Sequence, residues 1–178
     1  MTARQLGMTE VKRLNRDWRR RTNSRLSLLL DGVGQPFNVG SIIRTAAAFG
    51  AEQMWLCGDT ADPGHPSARK TALGTDRLLT FERLPAVTAV EAARAAGYRV
   101  IAVELAGDAV PLHQAPVDGD ICLALGNEDH GCSAALLAAA DLVSYIPQPG
   151  KVGSLNVAAA AAIAMAEVRR REWADEGD

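Results

Sequence analysis

Three short polar stretches carry the side chains that can do chemistry. The first, IPQPGKVGSLNVAAAAAIAMA at residues 146–166, is a Pro/Gly loop bearing Lys151, Ser154 and Asn156 that runs without a break into an alanine-rich apolar segment. A loop built this way holds polar groups against a rigid core element, as binding and catalytic sites require. Alone, the Ser-Leu-Asn would read as a helix cap. It is not alone: NVGSIIRTAAAFG occupies residues 38–50 and LALGNEDHG residues 123–131. Together they supply the Arg44 guanidinium, the Glu128 carboxylate, the Asn38 and Asn156 amides and the Ser154 hydroxyl. Such a set can recognise polar groups by hydrogen bonding and can offset developing negative charge.

The elements that must position these groups alternate along the chain. Apolar runs predict strands at residues 26–30, 53–57, 78–81, 99–105, 121–125 and 142–146. Helix-forming, alanine-rich stretches lie between them at 40–49, 86–96 and 133–140, and a last helix at 155–173. This alternation predicts an α/β domain with a mainly parallel sheet flanked by helices. Gly97 reads as a helix C-terminal cap before the strand that starts near Arg99. Residues 58–76 are polar and turn-rich and read as a mobile surface loop, in which Arg69 and Lys70 are candidates to touch a polyanion.

Composition narrows the function classes. A chain of 178 residues that is 48% hydrophobic and 22% charged suits one globular domain. Its net charge of −2 is unevenly spread. Residues 1–25 hold eight basic side chains against two acidic ones, net +6, whereas residues 26–178 hold eleven against nineteen, net −8. A basic arm (1–25) on an acidic body (26–178) points to an anionic partner reached by the arm. The arm lacks an apolar run of signal-peptide length, so a cytoplasmic location is expected, and no segment is long enough to span a bilayer. Cys57, Cys122 and Cys132 show no CxxC spacing and form no ligand pattern with His65, His113 and His130, so no metal is expected.

In this order and spacing the three stretches resemble the SpoU/TrmH family of S-adenosylmethionine-dependent RNA ribose 2'-O-methyltransferases, a branch of the SPOUT superfamily. The likeness runs over about residues 26–172. It rests on Asn38, Gly40 and Arg44; on Gly126, Glu128 and Gly131; and on Ile146, Pro147, Ser154, Leu155, Asn156 and Val157. The resemblance implies a SPOUT-type sheet whose C-terminal part is tied in a trefoil knot, an arrangement that general folding rules disfavour. It implies S-adenosylmethionine as methyl donor, without metal, in contact with Leu105, Gly126, Asn127, Ile146, Pro147, Ser154 and Leu155. It implies catalytic roles for Arg44, Asn38, Glu128, Ser154 and Asn156. It also implies a homodimer with the active site formed across the subunit interface.

Methylating a 2'-hydroxyl requires an in-line donor and a route for the hydroxyl proton. Guanidinium normally stays protonated, so Arg44 reads more naturally as a ligand of the adjoining phosphate and of the developing alkoxide than as a literal base. From sequence, Asn38 either orients Arg44 or caps its helix, with capping the better reading of a lone Asn. Glu128 by resemblance organises the cofactor pocket or the 154–156 loop. A tRNA substrate, guanosine favoured, is preferred to rRNA on the RTAAAFGAE run after the first motif and on the absence of a large appended domain. The alternatives are an rRNA enzyme and a non-catalytic RNA-binding relative. Two rival readings fail on detail. GVGQPF imitates a dinucleotide fingerprint but puts Phe37 where the third glycine belongs, and a Cys-His pair at His130 and Cys132 has no orienting partner.

Overall fold

The computed structural model describes residues 3–174. Residues 1–2 of the arm and 175–178 of the expected catalytic domain lie outside them. The apolar runs become strands β1 (Leu26–Asp31), β2 (Ala51–Cys57), β3 (Thr80–Arg83), β4 (Arg99–Val103), β5 (Val110–Pro111), β6 (Ile121–Gly126) and β7 (Leu142–Tyr145). They pair in the order β3-β2-β1-β6-β4-β7-β5 with every ladder parallel. The central strands β1 and β6 are buried along their whole length, which is why LSLLLD and ICLALG are almost continuously apolar rather than alternating.

Helices cover both faces. The helices are α1 (Met8–Arg20), α2 (Pro36–Ala48), α3 (Pro66–Ala72), α4 (Ala86–Ala95), α5 (Ala134–Ala139) and α6 (Val157–Ala174). Leu28, Leu30, Leu123 and Leu125 pack with Ile42 and Ile43 of α2 and Met165 of α6 on one face. Leu29, Cys122 and Ala124 point the other way, toward Ala89 and Ala93 of α4 and Leu136 of α5. From β1 the chain builds outward to β2 and β3. It then crosses to lay down β4, leaving the gap that β6 fills. The carboxyl ends of strands beside such a reversal are where open α/β sheets bind ligands. After β7 the chain returns to the middle of the sheet, where α6 packs on α2 and β6. That return path is consistent with the expected knot.

Several boundaries differ from the expectation for physical reasons. Leu78 is not in a strand: Thr75–Leu78 form a 3-10 turn, Leu78 is exposed, and the edge strand begins at Thr80. β4 stops at Val103, freeing Glu104 and Leu105 as loop residues. β7 likewise ends at Tyr145, one residue before Ile146. Residues 58–76 are not simply a loop, because α3 forms there and lies against α2. The contact is close at Gly40, where a Cβ would fall 1.9 Å from Thr71 Oγ1 and 2.2 Å from the Ala68 carbonyl oxygen. Gly97, at φ +93°, follows α4 as expected of a C-terminal cap.

The arm is a helix fastened at one end. α1 buries none of its residues, and Leu14 stays exposed rather than packing on the body. Trp18 packs against Trp173 near the end of α6, with ring centroids 4.8 Å apart and the rings tilted by 44°. Next to this contact, Trp173 Nε1 donates to Thr22 Oγ1, and the Glu172 carboxylate accepts from the Asn23 and Ser24 amides. Arg169, 1% exposed, donates to the Phe49 and Ser24 carbonyls and pairs with Glu172. A buried guanidinium is tolerable here because it meets a carboxylate and carbonyls together.

Gly40→Ala should therefore destabilise the protein by about 1–3 kcal/mol, since the Ala68 backbone cannot move aside without shifting α3. Thermal denaturation should show a melting temperature lower by roughly 3–10 °C. An unchanged melting temperature would mean that α3 rests only loosely on α2.

Candidate active site

Loops from the carboxyl ends of β4, β6 and β7, together with the segment leading into α6, enclose a cleft of about 330 Å³. Its walls include Glu104 and Leu105 after β4, residues 126–131 after β6, Tyr145, Ile146 and Gln148 at the end of β7, and Ser154 and Leu155 before α6. Val103, Leu125, Val157 and Ala160 complete an apolar side.

The β6 loop is folded tightly back on its strand. Asn127 and Gly131 exchange backbone hydrogen bonds of 2.9 Å, and Gly131 has φ +69°. The returning backbone lies over Gly126, where a Cβ would be 2.1 Å from Cys132 N. Only glycine fits there. Asn127 spends its side chain on the loop: Oδ1 accepts from the Asp129 and His130 amides, and Nδ2 donates to the Gly32 carbonyl at 2.7 Å. Glu104 Oε2 accepts from Cys132 N at 2.8 Å and Oε1 from Leu105 N at 2.9 Å, tying the β4 loop to the β6 loop.

A chain of hydrogen bonds joins the three sequence motifs. The Glu128 carboxylate accepts from the backbone amides of Gly34 (3.1 Å) and Gln35 (3.2 Å) and from Asn38 Nδ2 (2.8 Å). Asn38 Oδ1 then accepts from Asn156 Nδ2 at 3.0 Å. Asn156 Oδ1 caps α6 by accepting from the Ala158 and Ala159 amides. Partial burial works to push the Glu128 carboxyl upward, but the donors from Asn38, Gly34 and Gln35 outweigh it and hold the group below the usual carboxylate range.

These bonds correct two sequence readings. Asn38 does not cap α2: Gln35 occupies the cap, and Asn38 lies buried in the first turn as the bridge between Glu128 and Asn156. It makes no hydrogen bond to Arg44. The last helix begins at Val157 rather than 155, because Asn156 is its cap. Leu105, Gly126, Asn127, Glu128, Ile146, Ser154 and Leu155 all meet at the cleft. Pro147 does not line it, and neither does Arg44, which is exposed on α2 without hydrogen bond or ion pair to any described residue.

Sequence reasoning missed Glu104, Tyr145 and Gln148. All three sit at or just past the carboxyl end of a parallel strand, and that position was the available signal. All three cysteines are free and buried. Burial pushes the Cys57 and Cys122 thiols up to about 12, and burial followed by the nearby Glu104 pushes Cys132 up as well.

Electrostatically the cleft is one-sided. Glu104, Glu128 and Asp129 line it, and no lysine or arginine does. Such a site attracts a cation and repels phosphate. An apolar wall for a flat ring and an acidic rim fit an adenosyl group carrying a sulfonium. Among the described residues no group of His, Cys, Asp and Glu is placed to hold a metal ion, and no helix is long and apolar enough to cross a membrane.

Comparison with known proteins agrees with this geometry. Residues 25–166 match the model of the SpoU rRNA Methylase family, and the chain belongs to that family. It is 36% identical over 146 residues to the 23S rRNA (guanosine(2553)-2'-O)-methyltransferase RlmP of Bacillus subtilis, covering 82% of this chain and 58% of that protein. A crystal structure of an AdoMet-bound rRNA methyltransferase from Sinorhizobium meliloti superposes with a TM-score of 0.78 at 34% identity, covering 85% of this chain and 58% of that one. A solved structure concerned with 2-OH methylation of C/U34 on tRNA matches with a TM-score of 0.73 at 30% identity, over 83% of this chain and 96% of the other. The chain thus spans less than two thirds of the curated relatives it matches first, between 56% and 60% of their length.

The hydrogen-bond chain generates a pH prediction. Because the Glu128 carboxyl is depressed in the folded state, its contribution is present at neutral pH and is lost as pH falls through that lowered value. Glu128→Gln presents an amide to the donors of Asn38, Gly34 and Gln35, and should cost roughly 2 kcal/mol at neutral pH. Denaturant titration should find this gap closing in acid, below about pH 4. A gap that stays constant with pH would show that the charge is not what the network holds.

Proposed function

We propose that the protein transfers a methyl group from S-adenosylmethionine to a ribose 2'-hydroxyl of RNA. The observation that carries this reading is that two of the motifs, far apart in sequence, line one acidic cleft, while the first is joined to both by the Glu128–Asn38–Asn156 hydrogen bonds. When bound, S-adenosylmethionine supplies an electrophilic methyl group on its sulfonium. Gly126, Ile146 and Leu155 would seat its adenosyl half, and the carboxylates of Glu104 and Asp129 would favour its cationic half. Ser154, exposed at the mouth, stands where the incoming ribose would pass.

Arg44 is an exposed cation available to the acceptor strand. Its guanidinium would bind the phosphate beside the target ribose and offset the negative charge that builds on the hydroxyl oxygen as the proton leaves. Its place on the exposed side of α2, outside its own chain's cleft, supports a homodimer in which it completes the partner's site. The outward face of α6 supplies a contact surface for such a dimer, with Ala159, Ile163 and Ala166 exposed in helical register.

For the substrate, the named activity of the 23S rRNA relative favours a guanosine of ribosomal RNA. The tRNA-related structure, matched over nearly all of its length, supports the tRNA reading of the sequence. Total RNA incubated with the protein and labelled donor, then mapped by mass spectrometry, distinguishes them. RNA binding with no methyl transferred to either would leave a non-catalytic RNA-binding protein. Arg44→Ala should reduce turnover by on the order of 10²-fold or more with donor affinity unchanged. Near-full activity in that variant would remove Arg44 from the mechanism.

The arm supplies the electrostatic attraction. Arg4, Arg20 and Arg25 are already paired with Glu10, Asp17 and Asp120, whereas Lys12, Arg13, Arg16 and Arg19 are exposed and make no ion pair with a described residue. Replacing these four with glutamine should flatten the dependence of log affinity for RNA on log salt by about 3 units. An unaltered slope would move the contact to Arg69 and Lys70 on α3.

A further inference from the structure

Gln148 lies on the loop after β7 between Pro147 and Pro149, whose fixed φ angles restrict the backbone that carries it. Its residue lines the cleft, yet its Oε1 is buried and has no hydrogen-bond partner. A buried acceptor without a donor is unfavourable and is normally satisfied. The other such atom among the described residues, Ser27 Oγ, sits within the sheet, where Ser27 pairs in register with Cys122. Only the Gln148 acceptor belongs to a residue of the ligand cleft.

The neighbours of Gln148 indicate what it meets. The carboxylates of Glu104, Glu128 and Asp129 line the cleft and suit a cation, and Gln148, two residues after Ile146, shares the lining with the apolar Leu105, Ile146 and Leu155. An apolar wall with one neutral acceptor suits a flat heterocycle or its sugar carrying an N–H or O–H donor. On the reading that the cleft holds S-adenosylmethionine, we infer that Gln148 Oε1 accepts a hydrogen bond from the adenosyl half, from the adenine amine or a ribose hydroxyl. The side chain thus selects the adenosyl group, and the carboxylates act on the charged half.

The test uses S-adenosylhomocysteine, the neutral demethylated product, so that binding is read by calorimetry without turnover. Gln148→Met keeps the length of the side chain and removes the acceptor. Its affinity should fall roughly 5- to 10-fold, the loss of one hydrogen bond. The melting temperature of the ligand-free variant should be equal or higher, because the orphaned acceptor is gone. Unchanged affinity would overturn the assignment, as would a ligand-free variant that melts lower and binds more weakly, which marks a structural role. Three analogues with an inosine, 2'-deoxy or 3'-deoxy nucleoside locate the donor. One of them should bind more weakly than the parent to the unaltered protein and no more weakly to Gln148→Met. Equal losses on both proteins for all three would also overturn the assignment. Failure of the unaltered protein to bind S-adenosylhomocysteine at all would overturn the reading of the cleft itself.

Discussion

The Glu128 carboxylate sits half-buried between the end of β6 and the start of α2, where it has left water without meeting a cation. Its charge is satisfied instead by two backbone amides and one side-chain amide, and that requirement places everything around it. Asn38 must stand in the first turn of α2 facing inward, which directs its carbonyl oxygen at Asn156. Asn156 in turn must cap α6, because its amide nitrogen is held by Asn38 while its oxygen meets the helix amides. Each link is a common interaction, but in series they fix the relative position of three loops that the sheet alone would leave adjustable. Removing one member leaves the next one unsatisfied, so the set behaves as a unit.

The molecule separates two electrostatic tasks in space. The cleft at the carboxyl ends of the strands is acidic, whereas the arm is basic and is fastened through Trp18 to Trp173 near the far end of α6. That helix has 18 residues, so at a rise of about 1.5 Å per residue its two ends stand roughly 25 Å apart. The Debye length at physiological salt is only about 8 Å, so the opposed fields do not cancel. On the proposed reading, a polyanion is drawn to the arm while the acidic cleft takes the cationic donor. The Arg169–Glu172 pair and its bonds to Ser24 hold the root of the arm in register with β1 and with the end of α2.

Much of the framework was legible in the chain. Strands buried on both faces need unbroken apolar runs, so β1 and β6 announce themselves, and alanine-rich stretches mark α4, α5 and α6. The segment at 58–76 misled because glycine, proline and polar residues dominate it. Its helix α3 is only seven residues long and is supported by the surface that Gly40 leaves open on α2. No local propensity encodes such support, since isolated helices of that length are unstable. The strand ends at 103 and 145 differ for a related reason: Leu105 and Ile146 are apolar, but both line the cleft beyond the last ladder pair.

By itself the sequence determined which groups were available and in what order: the Asn38, Gly40 and Arg44 set, the Gly126, Glu128 and Gly131 set, and the loop ending in Asn156. Order and spacing are properties of the chain, and they identify the family. Tertiary structure decided what each group does. An asparagine before or within a helix can cap it, bridge to another loop or face solvent, and its neighbours in sequence are equally compatible with all three. Asn38 became a bridge because Glu128 and Asn156, 90 and 118 residues away, were brought to its two ends. Arg44 stayed outside the cleft for the complementary reason. Ile42 and Ile43 turn into the core, so the helical period carries Arg44 to the outer surface of α2.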